Sequence, residues 1–206
     1  MAFLTNKSDK MNRSRKKQIL ALIILFFFFG SSTFAIISFS PITSTNNAAV
    51  PAGVGAVGST HIHSDFKVYM DGQAINFLQK KYDDISPYIH LHVSVGERGG
   101  EGSGNLIHIE ATNPPIGFFF ETLGMKFNST CFNLDTGEQY CNQEDKTLKF
   151  YVNGLVNNQF EKYIPKDLDK ILISYGNETD EQIQTQIDSV TDESYFVSGS
   201  GRGILG

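Results

Sequence analysis

"HIHSDFKVYMDGQAINF", residues 61–77, opens on two histidines two positions apart and folds back around an Asp-Gly pair. Apolar and aromatic residues on both sides of Asp71-Gly72 are the strongest short-range signal for a β-hairpin. The same grammar returns in "LKFYVNGLVNNQF", residues 148–160, with Asn153-Gly154 at the turn. Between the two hairpins, "YIHLHVSV" (88–95) and "LIHIEA" (106–111) are short and β-rich. They are separated by "GERGGEGSGN" (96–105), which lacks the Gly-Lys-Ser/Thr ending of a phosphate loop and precedes a strand instead of a helix. It reads as a mobile surface loop.

"PPIGFFFETLGMKF", residues 114–127, predicts one short helix, with prolines at its start and Gly124 as its stop. Ile116, Phe119, Phe120 and Leu123 fall on one face of it at helical spacing. "KILISYG" (170–176) reads as a last buried strand. A C-terminal amphipathic helix is expected over 178–193, with Thr179 and Gln182 in capping-box positions and Ile183, Ile187 and Val190 as its apolar stripe. A flexible tail follows over 194–206. The fold class is therefore α+β, a small mixed sheet of hairpins packed on one short helix, β-grasp-like in style.

Residues 19–39, "ILALIILFFFFGSSTFAIISF", carry no charge and approach the ~20 residues a helix needs to cross a bilayer. Six basic residues and one acid precede Gln18, which predicts a cytoplasmic segment over 1–17 and an exported body. A transmembrane anchor over 18–40 is favoured over a cleaved secretory signal because the apolar span is long for a signal core. Residues 41–60, uncharged and rich in small residues, Pro and Gly, read as a flexible tether. The localisation expected is the cell membrane, single-pass, with an extracytoplasmic domain over 61–177. Of 17 basic and 22 acidic residues in the chain, 11 and 21 lie beyond the N-terminal segment. A body that acidic excludes nucleic acid as a partner and attracts cations.

All five histidines of the chain lie in the three strand phrases. Residues i and i+2 of a strand share a face, so His61 with His63, His90 with His92, and His108 with Glu110 can each turn two donors toward one ion. Imidazole suits copper and zinc, ahead of nickel. Three or four of these ligands would suffice for one ion. Nothing supplies a Ser-His-Asp or Cys-His constellation, although Glu110 or Asp65 near the histidines could serve as a base, so metal binding is expected ahead of catalysis. In an oxidising compartment Cys131 and Cys141 read as a structural disulfide around "DTG", and their spacing is not C-x-x-C. Asn128 and Asn177 stand in glycosylation sequons.

In order, these phrases resemble a small exported His-x-His domain of bacteria and archaea. The likeness extends to single-pass membrane proteins of ammonia-oxidising archaea, some labelled protein-disulfide isomerase. It spans roughly residues 61–177 through "HIHSDFKVYMDG", "IHLH", "LIHIEA", the Phe-rich helix, the cysteine pair and "YVNG". The resemblance implies the family's histidines at His61, His63, His90, His92 and His108, with Glu110 beside the last, and its cysteines at Cys131 and Cys141. The chain departs from the pattern at Val93, where the family has an acid, and in "PIG" where the family has "TLG". The reading that follows is a membrane-anchored extracytoplasmic metal-binding module. The alternatives are a thiol–disulfide oxidoreductase or isomerase using Cys131 and Cys141, and a non-catalytic envelope interaction domain. Its protein partner is not legible.

Overall fold

The computed structural model of the chain describes residues 48–95 and 101–198. Strand β1 (Ile62–Met70) turns at Asp71-Gly72 into β2 (Gln73–Ala74). Strand β8 (Thr147–Val152) turns at Asn153-Gly154 into β9 (Leu155–Val156). All four turn residues have φ between 50° and 77°, the left-handed pair that a type I′ turn demands. Both hairpins form, yet each returning strand is only two residues long.

The long partners come from elsewhere in the chain. Strand β10 (Lys170–Gly176) runs between β1 and β8, parallel to the first from Asp65↔Lys170 to Met70↔Tyr175 and antiparallel to the second. On the other edge of β1 lies β4 (Leu106–Ile109), and beyond it β3 (Ile89–His90), both antiparallel to their neighbours. The seven-stranded sheet thus has the order β3-β4-β1-β10-β8-β9, with β2 also on β1. A separate three-stranded sheet holds β5 (Lys126–Phe127), β6 (Cys131–Asn133) and β7 (Gln139–Cys141). The fold is α+β.

One face of the large sheet carries Phe66 and Val68 of β1, Ile171 and Ile173 of β10, Phe150 of β8, and Ile107 and Ile109 of β4, all buried. Helix α1 (Ile116–Thr122) covers it, with Ile116, Phe118, Phe119, Phe120 and Leu123 sunk in the same core. Gly124, at φ 78°, ends the helix. Its N–H donates to Glu121 O and that of Met125 to Phe120 O, the two bonds of a Schellman motif. Phe66 stands edge-on to Phe119 at 5.3 Å, and Phe120 to Phe132 of β6 at 4.9 Å, which ties sheet, helix and small sheet together. Truncating Phe120 to Ala would cost ~3–5 kcal/mol.

The other face departs from the sequence reading at both of its ends. The C-terminal helix expected over 178–193 is two helices, α2 (Asp180–Asp188) and α3 (Glu193–Val197). Thr179 and Gln182 close the expected capping box on α2. The break comes at Ser189, which is fastened to the sheet: Lys67 Nζ donates to its carbonyl and its hydroxyl meets that of Tyr69. Helix α3 therefore begins before, and runs into, what reads as a flexible tail. It is held by Asp65, a fully buried carboxylate that accepts from the backbone N–H groups of Glu193 and Ser194 at 2.8 and 3.0 Å and from the Thr191 hydroxyl. A carboxylate at a helix start satisfies its orphan donors and opposes its dipole.

The tether also differs from expectation where it is described. Gly55 N–H donates to Thr112 O and Gly58 N–H to Glu110 O, at 2.8 and 2.7 Å, so this stretch lies along the end of β4. Its small residues serve close approach: a Cβ on Gly55 would stand 2.2 Å from Thr112 Oγ1. The basic segment over 1–17, the anchor over 18–40 and the start of the tether lie outside the described residues. Among the described residues no helix is long and apolar enough to cross a membrane.

Candidate metal centre

Register alone brings the three histidine phrases together. His63 of β1 pairs with His108 of β4, which pairs in turn with His90 of β3. Three imidazoles therefore stand abreast on three adjacent strands, on the face opposite Phe66 and Ile107. The i±2 neighbours extend this row in both directions. His61 comes beside Glu110, and His92 follows His90 toward the other end of β4. Ring centroids lie 4.7 Å apart for His63 and His108, and 4.8 Å for His108 and His90.

Two triads result, His61 with His63 and His108, and His90 with His92 and His108. In each, one ligand atom per residue can be chosen so that all lie within 4.8 Å of one another. Histidines 63, 90 and 108 are buried, His92 is half-buried, and His61 is exposed at the rim. Glu110 joins the first triad, with Oε1 at 2.6 Å from His108 Nε2 and 3.3 Å from His61 Nδ1. A carboxylate only accepts, so His108 donates its Nε2–H to it when no ion is bound. In the second triad the Nε2 atoms of His90 and His92 face each other at 3.2 Å, and Asp84 Oδ1 lies 3.7 Å from His90 Nε2.

The protein also fixes the tautomer of His63. Ser198 Oγ donates to Asp167 Oδ1 at 2.8 Å and lies 3.0 Å from His63 Nδ1. The one hydroxyl proton goes to the carboxylate, so His63 Nδ1 must be the donor to Ser198. A neutral His63 then carries its lone pair on Nε2, the nitrogen that would ligate a metal. Such an outer carboxylate or hydroxyl orienting a ring is the usual support of a ligating histidine. Burial pushes His90 down to about 4, helped by repulsion from His108 and His92 and opposed by Asp84 and the Ser86 backbone. His90 is thus neutral at physiological pH, the form that ligates.

Asp65, a candidate base by sequence, is engaged as the anchor of α3 and turns its oxygens to that helix. The supporting roles of Asp84, Asp167 and Ser198 carry no sequence signal. Cys131 and Cys141 form a disulfide between directly paired positions of β6 and β7, within the separate small sheet. Asn128 and Asn177 are both exposed. Asn128 Oδ1 accepts from the N–H and hydroxyl of Thr130, which makes its sequon a tight turn. No protein-family model, no curated protein and no solved structure matches the chain.

Proposed function

We propose that the protein is an extracytoplasmic metal-binding module, held at the membrane by residues 18–40, that takes copper or zinc through its histidines. The observation that carries it is the convergence of five imidazoles, from three separated phrases, on one patch of one sheet face. Scattered histidines on half-exposed strands would not meet in register across three strands. Nitrogen donors with flanking carboxylates suit Zn²⁺ and Cu²⁺ and leave Mg²⁺ and Ca²⁺ poorly served. The acidic balance of the body favours cation approach. Resemblance to the exported His-x-His domain supports the same placement outside the cell, and the central parallel pair β1/β10 under one helix supports a β-grasp-like reading of the fold.

The test is thermal unfolding of the purified full-length chain with and without Zn²⁺ or Cu²⁺. An ion that binds only the folded state, at a hundred times its dissociation constant, contributes ~2.7 kcal/mol, or roughly 5–10 °C for a domain of this size. That shift is expected at pH 7.5 and should vanish near pH 5, where protons compete for the imidazoles. His108→Ala or His108→Gln should abolish it, and Lys80→Ala should not. No metal-dependent shift, or one that survives loss of His108, overturns the reading.

A further inference from the structure

Resting on that reading, the geometry points to two metal sites in place of one, placed diagonally about a shared His108. Strands β1 and β3 flank β4 and each brings a His-x-His pair, but their pairs extend in opposite directions. Continued one residue past Ile62 and two past His90, the register brings His61 toward Glu110 and His92 toward Leu106, on either side of the row His63, His108, His90. One triad therefore centres between β1 and β4 toward Glu110. The other centres between β3 and β4 toward Leu106. From strand spacing and rise alone the two centres fall roughly 8 Å apart, too far for one ion with Zn–N bonds of ~2.0–2.1 Å to use both pairs.

His108 belongs to both triads. Its Nε2 is turned to Glu110, in the first triad's half. On this assignment the ion in the second triad takes Nδ1 of the same ring, and a ring joining two ions at ~2.0–2.1 Å each would hold them ~6 Å apart. Reaching that separation requires the side chains to turn, the stacked rings of His90 and His108 included. The carboxylates are divided in the same way, Glu110 against His61 and His108, Asp84 against His90. Each ion is thereby offered three imidazoles, with Glu110 against two members of the first triad and Asp84 near one of the second, and the fourth place of a four-coordinate site is left to a carboxylate or solvent. A neutral imidazole carries one N–H, so filling both sites sends that proton from His108 to solvent and leaves a bridging imidazolate. No oxidation change is involved.

The experiment is titration of the purified full-length chain with Cu²⁺ alone, followed by elemental analysis and electron paramagnetic resonance. Two ions per chain are expected, with the signal of the first equivalent broadened or lost as the second fills, because a bridging ring couples the spins. His61→Ala with His63→Ala should leave one ion with an isolated Cu²⁺ signal. So should His90→Ala with His92→Ala. His108→Ala should lose both ions, with far-ultraviolet circular dichroism confirming a folded variant and His108→Gln serving in its place otherwise. One ion per chain in the unaltered protein, or two ions whose spectra are independent, overturns the shared-ligand pair while leaving the metal-binding reading intact. No bound ion at any loading overturns both.

Discussion

Keeping His90 uncharged within the sheet couples the fold to pH. In the folded chain burial holds this imidazole at about 4, whereas in the unfolded chain it returns to an ordinary value near 6.5. Between those values the unfolded chain binds a proton that the folded chain refuses, so stability rises with pH across that window. The penalty is absent above about pH 6.5 and grows to ~3 kcal/mol by pH 4. Denaturant melts of the metal-free protein should therefore weaken steadily from pH 6.5 to 4, and His90→Gln should flatten that slope. An unchanged slope in the variant would show that another group carries the acid sensitivity. At this scale the clustering of the histidines was readable because residues i and i+2 of a strand share a face. Its supports were not: Ser198 lies 135 positions from His63, and only the folded chain brings the two within 3.0 Å. Asp65 misled for a related reason, since proximity to His63 in sequence says nothing about the helix start that occupies its oxygens.

Among the elements, those written in local chemistry were the legible ones. Asp-Gly and Asn-Gly each fix a type I′ turn, and Gly124 stops α1 through a left-handed position that few residues adopt. The pairing of β1 with β10 was hidden, because a parallel neighbour is set by a long connection and leaves no local mark. Closely packed glycines in the tether mimicked flexibility, as small residues do wherever backbones touch. The cysteine hairpin was legible in both respects. Cys131 and Cys141 sit directly opposite each other on β6 and β7, which confines the bridge to one hairpin of the small sheet. Replacing both by Ser should cost ~2–3 kcal/mol by the loop-closure argument. Metal stoichiometry should not change, since His63, His90 and His108 lie on strands of the other sheet and His61 and His92 directly flank them. Denaturation and elemental analysis of the double variant check both halves. Metal lost along with the bridge, or two thiols titrating in the native protein, would move the cysteines from scaffold to function.

For the whole molecule, the two faces of the large sheet divide the labour. One is filled by Phe66, Val68, Ile171 and Ile173 beneath α1, and supplies stability. The other is fastened to the α2–α3 segment through Lys67, Tyr69 and Asp65 of β1, and the histidines hold its β1-β4-β3 end. The same separation of roles runs through the charges of the chain. Six of its 17 basic residues precede Gln18, and all but one of its 22 acidic residues follow it. On the anchored reading, the basic cluster stays in the cytoplasm and the uncharged span behind it crosses the bilayer, because Lys and Arg flanking a span set its orientation. The acidic, histidine-bearing body then faces a compartment in which the Cys131–Cys141 bridge persists. Protease added to intact cells should therefore degrade the region after Pro41 while a cytoplasmic marker survives, and membrane pellets should retain the untreated chain through a high-salt wash. A body protected until the cells are lysed would place it inside. A body recovered in the medium without its first 40 residues would turn the apolar span into a cleaved signal, leaving the histidine face outside the cell but no longer tied to its surface.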